Sequence, residues 1–180
     1  MTDKSTLPLS EAPPLKYHHT PENINALLSH LPDIENTASP SDLFSKSHTP
    51  HSPALPSQHP SVVFFPQSTE EVSRILKNCH ERRIAVTSFS GGTSIVGALA
   101  ATRPGGVCID FGRMDRVWDV NVQDQDVRVQ PGVGWVELNE ELEGRGFWFP
   151  VDPAKGARIG GMVWFSISLS TWIGYQRGDR

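Results

Sequence analysis

The chain has 180 residues and a formal net charge of -4, which is enough length for one domain with a core and too little positive charge for a nucleic-acid partner. Hydrophobic residues make up 37% and charged residues 20%, both below globular averages, because the first 60 residues are poor in apolar side chains. No apolar run approaches the roughly 20 residues of a membrane span. Cys79 and Cys108, in no CxxC or His/Cys cluster, read as buried thiols of a reducing compartment and leave zinc without a ligand set.

Residues 1–19 are polar and Pro-containing and are expected to form a disordered leader. Met1-Thr2-Asp3-Lys4 has no apolar signal core, and Asp3, Glu11 and the lack of any Arg before Arg74 do not match a transit peptide, so the sequence reads as soluble with no address. A short helix is expected over 21–32, with Thr20 as cap, Pro21 at its first position and Ile24, Leu27, Leu28 and Leu31 on one face. Residues 36–60 are rich in Ser, Pro and His and are expected to be irregular, so that 20–59 form one N-terminal segment. His18, His19, His30, His48 and His51, with His59 nearby, follow no ligand spacing and read as solvated loop rather than a metal site.

From Pro60 the texture changes. Ser61-Val62-Val63-Phe64-Phe65 is a short buried strand. Ser68-Thr69-Glu70-Glu71 is a capping box, and the helix it opens places Val72, Ile75, Leu76 and Cys79 on one face and ends in Arg82 and Arg83. Ile84-Ala85-Val86-Thr87-Ser88 follows as a strand. The β-α-β crossover implies a parallel pair. Gly106–Asp110 is a further strand, 116–122 and 126–130 an antiparallel pair, and Trp135, Leu138 and Leu142 mark a helix that Gly144 or Gly146 can stop. The class is α+β: a small parallel β-α-β sheet followed by a mixed or antiparallel one.

The most informative segment is Ser88-Phe89-Ser90-Gly91-Gly92-Thr93-Ser94-Ile95-Val96-Gly97, directly after a strand. Adjacent glycines allow positive φ, so successive N–H groups can converge on an anion such as a pyrophosphate, with Thr93 and Ser94 adding hydroxyls. The Lys of a Walker A loop is absent and the glycine spacing is not GxGxxG. By itself the loop fits an anion nest and a simple tight turn equally.

Its neighbours add order: the 60–65 strand, the 68–83 helix, Ile84-Ala85-Val86, Gly91-Gly92-Thr93-Ser94, Gly106–Asp110, Val129-Gln130-Pro131-Gly132-Val133, Phe149-Pro150-Val151-Asp152-Pro153 and Ile159-Gly160-Gly161-Met162. This succession resembles the FAD-binding domain of the vanillyl-alcohol-oxidase and p-cresol-methylhydroxylase (PCMH) superfamily, and within it the D-lactate dehydrogenase (cytochrome) and glycolate oxidase branch. The resemblance covers 60–162, which is the expected domain.

The resemblance implies that Ser90, Gly91, Gly92, Thr93 and Ser94 hold the FAD pyrophosphate, and that Ser88, Phe89 and Gly97 beside them also bind the cofactor. It implies that Pro131, Gly132, Val133, Pro150, Asp152, Gly160 and Gly161 line the cofactor, with glycines where the backbone must approach it closely. Thr93 stands where relatives that attach FAD covalently carry a His, so the FAD is expected to be non-covalent. Val96 stands where the branch usually has an acidic residue. After Met162 the segment 163–180 departs from the family pattern, and the chain is expected to stop before the enzyme is complete, without the substrate domain.

The implied activity is oxidation of a D-2-hydroxy acid such as D-lactate to a 2-oxo acid, with electrons passing to an acceptor such as cytochrome c and a mitochondrial location. A catalytic residue is not identified. The alternatives are a non-catalytic truncated product with weak or no FAD binding, which as it stands would not oxidise D-lactate, and a module whose glycine loop binds another phosphate ligand.

Overall fold

The computed structural model describes residues 16–49, 51, 58–100, 105–165 and 174–175. Its elements are α1 (Pro21–His30), β1 (Asn36–Thr37), α2 (Pro40–Ser45), β2 (Val62–Phe64), α3 (Thr69–Glu81), β3 (Val86–Phe89), β4 (Val107–Asp110), β5 (Val117–Asn121), β6 (Asp126–Val129), α4 (Trp135–Glu143), β7 (Phe147–Trp148), α5 (Ile159–Phe165) and β8 (Gly174–Tyr175). Of the expected leader, residues 1–15 lie outside the described residues. Residues 16–20 run along the sheet, where the His18 N–H donates to the Arg83 carbonyl (3.0 Å) and the His19 ring accepts from the Ala85 N–H (2.9 Å). Of the tail, α5 takes 163–165 and β8 pairs antiparallel with β7.

The first sheet has the order β1-β2-β4-β3, with β4 parallel to both β2 and β3 and β1 antiparallel to β2. The crossover through α3 does make β2 and β3 parallel. They are not partners, because β4 inserts between them and takes the hydrogen bonds of both. The central strands β2 and β4 are buried along their whole length, as expected of strands covered on both faces. Val62, Phe64, Val107 and Ile109 meet Ile24, Leu27, Ile75 and Cys79 of α1 and α3 in the first core. Leu76, read as part of that apolar face, is instead 45% exposed.

Both helices are capped as the sequence implies. The Thr20 hydroxyl accepts from the Asn23 N–H (3.3 Å), and the Ser68 hydroxyl accepts from the Glu71 N–H (3.2 Å). The Glu71 carboxylate reaches back one residue further than a capping box requires, to the Gln67 N–H (2.8 Å). The 36–60 stretch is not wholly irregular. Asn36–Thr37 extend the sheet and α2 forms over Pro40–Ser45, with Pro40 at a helix start and the Thr37 hydroxyl donating to Asp42 (2.9 Å).

A second core joins Val120, Val133, Leu138, Leu142, Phe147, Phe149 and Ile159 from the β5–β6 pair, α4, β7 and α5. Gly144 caps α4 in a right-handed conformation, and Gly146 supplies the positive φ of 77° behind it. Cys79 and Cys108 are both buried, and burial pushes each thiol up to about 12. No described helix is long and apolar enough to cross a membrane, and no group of His, Cys, Asp and Glu among the described residues could hold a metal ion.

Candidate functional site

The glycine loop leaves the end of β3, where the first sheet meets the second core. Ser88 and Phe89 still belong to the strand, paired with Ile109 and Asp110. Gly92 has φ +67° and Gly97 φ +74°, the left-handed region that only glycine enters without strain. Among the described residues, nothing accepts from the N–H groups of Gly91, Gly92, Thr93 and Ser94. Among the described residues these four successive backbone donors have no acceptor, and the exposed Thr93 stands beside them.

Two further segments close on this loop. The Pro131 carbonyl accepts from the Ser90 hydroxyl (3.1 Å) and from the Gly160 N–H (2.9 Å), so it ties together the glycine loop, the Pro-Gly-Val turn and the start of α5. The Arg158 guanidinium donates to the Gly132 carbonyl, and the Ile159 N–H donates to the Val133 carbonyl (2.9 Å). The structure thus brings Ser90, Gly91, Gly92, Pro131, Gly132, Val133 and Gly160 together from segments far apart in sequence.

Several of these glycines are packed closely against the chain itself. A Cβ on Gly91 would lie 2.4 Å from the Gly156 carbonyl oxygen, one on Gly132 would lie 2.2 Å from that of Phe111, and one on Gly160 would lie 2.6 Å from the Pro131 Cβ. Their small size answers to backbone packing against backbone. The N–H groups of Gly132, Val133, Gly160 and Gly161 are also taken, by Met114, Gln130, Pro131 and Arg158 carbonyls. A Cβ on Gly161 would meet nothing within 4 Å.

Pro150 and Asp152 stand apart, exposed on the stretch between β7 and Gly156. On the outer side of the loop Ile95 and Val96 are 70% and 69% exposed. Sequence reasoning missed the support under the loop. Lys46 forms an ion pair with the buried Asp110 (2.8 Å) and lies 4.3 Å from the centroid of the Phe89 ring. The Thr49 hydroxyl donates to the Ser94 carbonyl (3.1 Å). Lys46 and Thr49 sit in the Ser/Pro/His-rich stretch, where only a lone Lys among polar residues hinted at a partner.

A glycine loop after a parallel strand, seated between a β-α-β sheet and a second α+β layer, is the PCMH-type FAD-binding fold. The chain superposes on alkyldihydroxyacetonephosphate synthase with a TM-score of 0.67 at 23% identity, over 86% of this chain and 31% of that one. It superposes on p-cresol methylhydroxylase with a TM-score of 0.67 at 18% identity, over 77% and 28%. The chain belongs to the FAD binding domain family, which it matches over residues 60–168. It is 54% identical over 116 residues to the mitochondrial D-lactate dehydrogenase [cytochrome] of Arabidopsis thaliana, covering 64% of this chain and 20% of that protein. It is 39% identical over 170 residues to the mitochondrial D-lactate dehydrogenase [cytochrome] 1 of Saccharomyces cerevisiae, covering 88% and 29%. The glycolate oxidase subunit GlcD of Bacillus subtilis is 32% identical over 106 residues, covering 58% and 22%. The chain spans less than a third of these relatives. FAD is the cofactor of the family, and the N–H groups of Gly91 to Ser94, which have no acceptor among the described residues, are of the chemical kind that suits a pyrophosphate.

Proposed function

We propose that this chain supplies the pyrophosphate-binding part of the flavin site in an FAD-dependent oxidoreductase acting on a D-2-hydroxy acid such as D-lactate. The observation that carries the reading is the run of N–H groups at Gly91, Gly92, Thr93 and Ser94, which have no acceptor among the described residues, around the positive φ of Gly92. Converging backbone dipoles stabilise two negative phosphates without a Lys or Arg. Thr93 adds a hydroxyl donor and has no nucleophilic ring nitrogen, so the flavin is held non-covalently. Ser90, through the Pro131 carbonyl, keeps the loop and the Pro131–Val133 turn in register, and Gly161 presents open space on α5.

The chemistry the flavin supplies when bound is acceptance of a hydride from the hydroxy acid and release of the electrons to an acceptor such as cytochrome c. The names of the Arabidopsis and yeast relatives favour that acceptor and a mitochondrial location.

Replacing Gly92 by Val tests the reading, because a branched side chain is strained at φ +67° and would press on the Phe89 ring. Titration with FAD should show affinity falling at least about tenfold, which corresponds to about 1.4 kcal/mol. Equal affinity in variant and parent would mean that the loop is only a turn.

A further inference from the structure

Of the four buried polar or charged residues among those described, Thr49 and Asp110 lie where the segment after α2 meets β4 and the glycine loop. Buried polar groups cost stability unless partnered. The partners found here have a common direction. Asp110 Oδ2 holds Lys46, and Asp110 Oδ1 accepts from the Gly112 N–H (2.7 Å), which starts the turn whose Phe111 carbonyl packs on Gly132. The Lys46 ammonium caps one face of the Phe89 ring, and the Phe89 Cζ lies 3.0 Å from where a Cβ on Gly92 would sit. Phe89 is thus the floor under Gly92, and Lys46 holds that floor.

Thr49 acts at the other end of the arc. Its hydroxyl takes the Ser94 carbonyl. In a trans peptide the carbonyl and the following N–H point in opposite directions. Fixing the Ser94 carbonyl towards Thr49 therefore turns the Ile95 N–H away from it and anchors the peptide unit that directly follows the last of the Gly91–Ser94 donors.

We infer that Lys46 and Thr49 are positioning residues that hold the glycine loop in its anion-binding shape from beneath, without touching the ligand. This rests on the reading of the loop as a pyrophosphate cradle. Neither residue lies in the stretch matched to the family, 60–168, so the cradle depends on a segment outside it.

The test measures dissociation constants of the full chain for FAD and for ADP, together with the ligand-free melting midpoint. Thr49→Val keeps the shape and removes the hydroxyl, and should weaken both ligands by about three- to tenfold, the worth of one hydrogen bond. Thr49→Ser should restore binding. Lys46→Met alone strands the buried Asp110 and can unfold the chain. The pair Lys46→Met with Asp110→Asn removes both charges together and should weaken binding by a similar factor. A purely structural role would lower the melting midpoint and leave the affinities unchanged, and that result overturns the inference. If Gly92→Val loses FAD while Thr49→Val and the paired variant bind like the parent, the cradle stands and this inference fails. If Gly92→Val also binds like the parent, or the parent binds neither FAD nor ADP, the cradle reading fails and takes this inference with it.

Discussion

A Cβ placed on Gly91 would lie 2.4 Å from the carbonyl oxygen of Gly156, closer than side chains approach backbone. The glycine loop is therefore seated on the chain itself before any ligand arrives. Gly156, with φ +91°, turns the stretch after β7 so that it can offer that surface. The loop is thus pre-shaped by packing, so that in the proposed anion site its donors would need little reorganisation.

This separates two glycines that look alike in sequence. Gly91→Ala should destabilise the fold by about 1–3 kcal/mol, because the obstructing atoms are backbone and cannot swing away. Gly161→Ala should leave stability unchanged or raise it by up to about 1 kcal/mol, because it sits in α5 with open space around it. Its effect should appear instead as weaker flavin binding. Denaturant unfolding and FAD titration of both variants measure this, and a Gly91→Ala variant as stable as the parent would refute the packing account.

The flavin should come away without bond cleavage. Thr93 stands at the place where, by the family resemblance, relatives with covalent FAD carry a His. Acid or heat denaturation of a flavin-loaded sample, followed by filtration, should leave the yellow colour in the filtrate. Colour retained on the polypeptide would show a covalent link elsewhere.

The two thiols give a pH signature. Burial raises Cys79 and Cys108 to about 12 from the usual 9.0. The stability they carry is complete below about pH 9, where both folded and unfolded thiols are neutral. It falls as pH rises from there towards 12, because only the unfolded thiols ionise. Between pH 7 and pH 10 each thiol should cost about 1.4 kcal/mol. Unfolding free energies of the parent and of Cys79→Ala at these two pH values should differ in their pH dependence by that amount. An identical pH dependence would mean that the thiol is reachable by water in the folded chain.

Ser68→Ala should cost about 1 kcal/mol, the worth of a helix N-cap, since its hydroxyl holds the Glu71 N–H at 3.2 Å. The loss should appear as a lower denaturant midpoint with an unchanged slope. Because α3 packs through Ile75 and Cys79 on the first core, far from the loop donors, FAD affinity should hold. A parallel loss of affinity would show that α3 transmits strain to the site.

What the sequence determined by itself is local. Thr20 and Ser68 mark helix starts because a hydroxyl next to free N–H groups caps wherever it occurs. The Gly91-Gly92 pair marks a loop, and the order of motifs from Pro60 to Met162 marks the family. What only the tertiary structure decided is non-local. β4 lies between β2 and β3, although the crossover alone suggested that those two pair. A long connection fixes the direction of the next strand and leaves its neighbour open, and the buried Val107–Asp110 run claims both edges. Periodicity shows no link between Lys46 and Asp110 or between Thr49 and Ser94, because a polar residue reads as solvent-facing until folding brings its partner to it. The division of the glycines follows for the same reason. Gly91, Gly132 and Gly160 are spelled like Gly92, and only the atoms that lie 2.2–2.6 Å from their absent side chains tell these packing glycines from Gly92, whose φ of +67° turns the chain.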